Sequence, residues 1–132
     1  MVAATTSLAQ DSPAGRLIEK GDHSRIDTAK QVLVRTSEEW TALWRQHAPD
    51  RAKPAIDFSK EIVVGLFMGS RPSAGFAITL VATIVAKGAL VVQYREIVPP
   101  RDAIAAQVIT MPFHFVAIPR ATVTDVKFEK LP

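Results

Sequence analysis

The chain has no cysteine among its 132 residues, which excludes disulfide staples, thiolate metal sites and a thiol nucleophile. Long apolar runs are missing too. The longest, residues 62–68, has strand length and is interrupted by Gly65, well short of the roughly 18 apolar residues a membrane-spanning helix needs. An excess of one charge sign is nearly absent. Sixteen Lys and Arg against thirteen Asp and Glu leave +3, too small and dispersed to argue for nucleic acid. The three histidines stand at 23, 47 and 114, so no pair has the local spacing of a zinc site. No G-x-S-x-G occurs, and Gly69-Ser70-Arg71 lacks the flanking elbow pattern of a serine nucleophile. Gly65-x-x-x-Gly69 runs on into Ser-Arg rather than the Lys-Ser or Lys-Thr of a phosphate loop. Adjacent Glu38 and Glu39 read as a helix start favoured by its dipole, not an acid–base dyad. We therefore expect no catalytic residue, no metal and no cofactor, and a protein that is not an enzyme.

What is present suffices for one domain. At 132 residues the chain has room for a single core, and 48% apolar against 22% charged residues supports a folded protein rather than a disordered tail. Residues 1–15 stand apart. They are small and mostly uncharged, and Ser7-x-Ala9 resembles a signal-peptidase site, without the charged n-region or a proper h-region. Two readings stay open: the remnant of an export signal, hence a periplasmic or secreted protein, or an unstructured cytoplasmic N-terminus. The domain is expected over residues 16–132.

Residues 16–20 predict a short strand closed by the turn Gly21-Asp22-His23-Ser24. Residues 30–35 predict another, with Val32 and Val34 on one face and Gln31 and Leu33 on the other. Thr36-Ser37-Glu38-Glu39 fits a capping box, and Trp40, Leu43, Trp44 and His47 then form one stripe of a helix over residues 37–47 that ends before Pro49. Residues 48–59 read as a loop. From Glu61 the period changes to two: a central strand at 61–69, then 76–85 with Phe76, Ile78, Leu80 and Ile84 on one face. A tight turn at Lys87-Gly88 leads to 90–97 with Leu90, Val92 and Tyr94 aligned. Pro99-Pro100 breaks the chain, and strands follow at 113–118 and 122–128. The expected fold is mainly β, an antiparallel sandwich or barrel with one short helix plugging an open end or face.

If the strands from 61 to 118 run up and down in order, the loops 70–75 and 98–106 share one rim, and such loops on a rigid scaffold are where recognition usually sits. Gly69 and Gly75 give backbone freedom at either end of the first loop, while Pro72 fixes its own φ and pushes Arg71 towards an extended conformation. The result is a stiff loop, which loses little ordering entropy on binding. Among the histidines, His47 is expected beside the tryptophans with a polar edge in water, and His114 facing a loop carbonyl. Phe113 and Phe115 read as core rather than a base-stacking platform.

Residues 69–76, Gly-Ser-Arg-Pro-Ser-Ala-Gly-Phe, resemble the G-x-R-P-T-G-G-Y pattern of the C-terminal domain family of the protease-complex subunit PrcB. Residues 110–119, Thr-Met-Pro-Phe-His-Phe-Val-Ala-Ile-Pro, are similar to that family's T-x-P-Y-h-h-V-x-I-P block. The stretch from Asp57 into the first long strand and the W-x-x-x-W-x-x-H spacing of Trp40, Trp44 and His47 also fit. Ala74 stands where the family has glycine, and Phe76, lacking a hydroxyl, where it has tyrosine. The resemblance implies a non-catalytic, often exported bacterial domain that binds a protein partner and stabilises a protease or assists its maturation. The residues it implicates are Arg71, Pro72, Ser73, Ala74, Gly75 and Phe76, to which the shared rim adds Arg101. Arg71 and Arg101 would donate to carboxylates or carbonyls of the partner, while Phe76 would anchor the loop to the core. Pro72, Gly75 and Phe76 also resemble the N-P-T-T-G-Y loop of chagasin-type protease inhibitors. Two alternatives therefore stand: a protease inhibitor presenting residues 70–76 to an active site, and a structural domain that self-associates through a strand edge such as 122–128. The oligomeric state is left open.

Overall fold

The computed structural model describes residues 15–121 and 125–132. The export reading of the N-terminus rests on residues 1–14, and the expected last strand begins at 122–124; both stretches lie outside the described residues. The elements are β1 (Arg16–Gly21), β2 (Lys30–Val34), α1 (Ser37–His47), β3 (Glu61–Phe67), β4 (Ala77–Ala86), β5 (Ala89–Ile97), β6 (Phe113–Pro119) and β7 (Asp125–Lys130). Two sheets form a sandwich and do not close into a barrel. The first, in the order β1-β6-β3-β2, is antiparallel throughout; the second, β4-β5-β7, pairs β4 with β5 antiparallel and β5 with β7 parallel.

Period-two alternation in two strands builds both cores. In β3, Ile62, Val64 and Leu66 face the second sheet, where they meet Ile78, Leu80, Leu90, Val92 and Tyr94. Val63 and Phe67 face the other way, onto Trp40, Leu43 and Trp44 of α1. Strand β6 splits likewise, with Val116 and Ile118 in the inter-sheet core and Phe113 and Phe115 under the helix. Both strands are buried on each side because they lie in the middle of a three-layer stack: helix, four-stranded sheet, three-stranded sheet.

The helix covers a sheet face rather than plugging an end. It starts where the sequence predicts: the Glu39 N–H donates to Thr36 Oγ1 at 3.1 Å, and Glu39 Oε1 accepts from the Arg35 N–H at 2.8 Å. Trp40 and Trp44 each bury a ring and spend the indole N–H on the following loop, donating to the Pro54 and Arg51 carbonyls at 3.0 and 2.9 Å. That solves the polar-edge problem of a buried tryptophan.

Two expectations are corrected. Strands 61 to 118 do not run up and down in order through one sheet: β4 pairs with β5 as expected, but β3 and β4 lie in opposite sheets, and β6 returns to the first sheet between β1 and β3. Ile84 was expected on the core face with Ile78 and Leu80. The β4–β5 register shifts between Leu80 and Ala82, and the extra residue of this bulge inverts the alternation beyond it. Ile84 therefore faces outward and is 45% exposed. The hairpin itself is as expected, with positive φ at both Lys87 (52°) and Gly88 (77°), the geometry that suits strand twist.

Candidate protein-binding surface

The loop between β3 and β4 is fastened to the long connection between β5 and β6. Arg71 and Thr110 exchange backbone bonds, the Arg71 N–H donating to the Thr110 carbonyl at 2.7 Å and the Thr110 N–H to the Arg71 carbonyl at 2.9 Å. Thr110 Oγ1 donates to the Ser73 carbonyl at 2.9 Å, and the Ala74 N–H to the Ala106 carbonyl at 3.0 Å. The Ser70 N–H adds a bond to the Asp27 carbonyl at 3.0 Å. Gly69 (φ +82°) and Gly75 (φ +98°) occupy left-handed backbone, and a Cβ on Gly75 would lie 3.0 Å from Pro99 Cβ. Both conformation and space thus demand glycine at Gly75.

Of the residues singled out in the sequence, the six of the loop stand together against residues 98–110. Pro72 and Gly75 are exposed, Ser73, Ala74 and Phe76 half-buried. Phe76 packs against the inter-sheet core, and the Arg71 guanidinium lies over its ring at 5.6 Å. The Arg71 Nε is buried without a hydrogen-bond partner among the described residues. This arginine is thus held by its own loop. Arg101 lies on an exposed turn closed by the Ala103 N–H to the Pro100 carbonyl at 3.0 Å.

Sequence reasoning missed what the connection itself displays. Residues 98–109 run twelve positions without regular structure, a length that in a small domain usually marks a functional loop. Val98 is 61% and Ile109 68% exposed, and Ile97, Ile104 and Val108 are also turned to solvent. Such side chains are expensive to leave in water, and here they follow one another along the segment bonded to the 70–76 loop. The available signal was apolar composition without a period of 2 or 3.6 between Pro100 and Thr110.

A second constellation escaped the sequence reading. His47 is fully buried (0% exposed), not wet at one edge as expected. Its ring packs between Phe113 and Phe115, at centroid distances of 4.3 and 4.8 Å. Nδ1 lies 2.8 Å from Ser24 Oγ and Nε2 3.1 Å from Glu19 Oε1. Burial lowers the His47 pKa against the opposing pull of Glu19, so the ring is neutral: Nε2–H donates to Glu19 and Nδ1 accepts from the Ser24 hydroxyl. The Arg51 guanidinium grips both oxygens of Glu19 and is the first cause of that carboxylate's lowered pKa. Serine, histidine and glutamate in sequence resemble hydrolytic machinery, yet Ser24 is 4% exposed and its Oγ also accepts the Ile26 N–H at 3.0 Å. The chain of bonds ties β1, the 21–24 turn and the end of α1 together; it offers no hydroxyl to a substrate. His114 is corrected as well: among the described residues no hydrogen bond joins it to a loop carbonyl, and its Nδ1 accepts the Leu80 N–H at 3.0 Å, linking the two sheets.

The family model described as PrcB C-terminal matches residues 62–119. Over those residues the chain is PrcB-like. The PrcB-like stretch opens at the second residue of β3 and closes with β6, so it carries the 69–76 loop, the exposed 98–109 connection and the 110–119 block. The Trp40–Trp44–His47 spacing lies outside it. No curated protein and no solved structure matches the chain. Among the described residues no helix is long and apolar enough to cross a membrane.

Proposed function

We propose that this protein is a non-catalytic binding module that holds a partner protein, a protease by the family's association, on the surface made by residues 70–76 and 97–109. The observation that carries the reading is the exposed apolar set Ile97, Val98, Ile104, Val108 and Ile109 lying against a loop whose backbone is already fixed by hydrogen bonds. Burying one such side chain contributes about 1.5–3 kcal/mol, and a pre-ordered surface loses little of that to ordering. The PrcB C-terminal match supports a protease-complex role. Stabilisation is favoured over inhibition, because the amides of Arg71 and Ala74 and the carbonyls of Arg71 and Ser73 are bonded internally and are not free to pair with a protease cleft.

The test is co-purification from native cells with tagged wild type, with Val98→Ser/Ile104→Ser/Ile109→Ser, and with Arg71→Ala/Arg101→Ala. The triple variant is expected to lose the partner, and the arginine pair to weaken it by about tenfold, the equivalent of roughly 1.4 kcal/mol. Undiminished capture by the triple variant refutes the assignment. Stoichiometric inhibition of a cysteine or serine protease by the purified protein would favour the inhibitor reading instead.

A further inference from the structure

A sheet edge presents unpaired backbone groups, and β proteins either use it for pairing or defend it with charge, proline or bulges. Among the described residues the sandwich has four edges: β1 and β2 in one sheet, β4 and β7 in the other. Three carry charge. Strand β1 has Arg16, Glu19 and Lys20, β2 opens on Lys30, and β7 has Asp125, Lys127, Glu129 and Lys130. Strand β4, at ten residues the longest of the described strands, reads Ala-Ile-Thr-Leu-Val-Ala-Thr-Ile-Val-Ala, with neither charge nor proline.

Only half of β4 is guarded. Lys20 Nζ donates to Thr79 Oγ1, the Leu80 N–H is taken by His114, and the bulge follows directly. Residues 82–86 have none of these. Their register with β5 is regular, from Ala82 opposite Gln93 to Ala86 opposite Ala89, and Ile84 and Val85 are exposed.

We propose that a second copy of this chain pairs here, β4 to β4, antiparallel about Ile84, joining the two three-stranded sheets into one of six strands. The argument is complementarity. An uncharged edge selects an uncharged strand, and every other edge strand described in this chain carries charge, so β4 is its own match. Antiparallel pairing about Ile84 sets it against the partner's Ile84, Thr83 against the partner's Val85, and Ala82 against the partner's Ala86. A two-fold axis makes each contact twice, and both strands are already ordered in a hairpin. The charge that follows β4 directly is Lys87, and its two copies do not meet. They stand six strand positions apart, roughly 20 Å at about 3.3 Å per residue, or about two and a half times the screening length at physiological salt. Residues 82–86 lie at the opposite end of the β4–β5 hairpin from Ile97, so this contact is independent of the binding surface proposed above, and either can fail alone.

Sedimentation velocity over about 10 μM to 1 mM, the range of a weak dimer, is expected to show the mass rising from 14.4 kDa towards twice that value. Ile84→Lys puts two ammonium groups together at the axis and is expected to weaken the dimer at least tenfold, while Val108→Lys leaves it unchanged. In the wild type, amide exchange of residues 82–86 slows with concentration while that of 77–79 does not; this measurement decides the matter even if Ile84→Lys fails to fold. A protein that stays at 14.4 kDa throughout, a dimer that survives in folded Ile84→Lys, or exchange at 82–86 independent of concentration overturns the proposal.

Discussion

His114 makes stability depend on pH in a way that can be calculated from its surroundings. It lies on β6, 6% exposed, with Nδ1 accepting the Leu80 N–H at 3.0 Å from the opposite sheet. Burial first, and the Lys20 charge second, push its pKa down to about 4 from an ordinary 6.5. Protonation would charge a buried ring and remove the acceptor from a buried N–H. Between pH 6.5 and 4 the unfolded chain therefore binds a proton that the folded one refuses, so stability rises with pH across that window. His114 contributes fully above about pH 6.5, and the contribution is lost as pH falls through 4. A difference of about 2.5 pH units at 1.36 kcal/mol each gives roughly 3 kcal/mol, a substantial share of the 5–15 kcal/mol typical of a domain. The assay is urea unfolding from pH 7 to 4 for wild type and His114→Asn, which keeps an acceptor near the Nδ1 position without a titrating ring. Both proteins share the acid loss due to His47, whose pKa is lowered in the same direction, so the difference between the curves isolates His114. Wild type is expected to lose about 3 kcal/mol more than the variant across that range. Parallel curves would refute the reasoning, as would a titration of the His114 ring near 6.5 followed by NMR.

Other consequences follow from local chemistry. Thr36→Ala removes the helix cap and is expected to cost about 1 kcal/mol in urea unfolding, with Thr36→Ser recovering most of it. Gly88→Ala and Gly69→Ala both force alanine into left-handed backbone at about 1–2 kcal/mol, but a Cβ at Gly88 meets nothing whereas one at Gly69 lies 2.8 Å from the Ala29 nitrogen; Gly69→Ala is expected to be clearly the worse in thermal unfolding. Arg51→Ala removes the main cause of Glu19's lowered pKa, so the Glu19 carboxyl, read by carbon NMR, is expected to titrate at higher pH. The acid-side stability that Glu19 lends above its unfolded pKa and loses below its folded one shrinks accordingly.

The elements were legible because their signals are local. Thr36 and Glu39 announce a helix start, Lys87-Gly88 a hairpin, and apolar residues from Ile62 to Met68, broken only by Gly65, a strand covered on both faces. The strand order was not, since nothing in residues 61–118 says that β4 starts a new sheet while β6 returns to the old one. Val81 is the residue that defeated the facing of Ile84: a bulge is set by the fit of two strands, and β4 alone carries no mark of it. His47 was misjudged because its place on the tryptophan stripe was visible but its partners, Ser24 and Glu19, are distant in sequence. Loops 70–75 and 98–106 did meet, through the Ala74–Ala106 bond and the approach of Gly75 to Pro99 rather than through the neighbouring strands from which their meeting was inferred. The exposed isoleucines and valines of 97–109 went unnoticed because apolar composition usually announces burial, and the missing strand or helix period was the one local sign against it.

The binding surface is tested most directly by placing a photo-crosslinking amino acid at Val98 or Ile104, with Glu129 on β7 as the control position, and irradiating native cells. The account predicts one discrete cross-linked protein, identified by mass spectrometry as a protease or a member of its complex, from Val98 and Ile104 and not from Glu129. Cross-linking at Glu129 alone, or none at Val98 and Ile104, would contradict it.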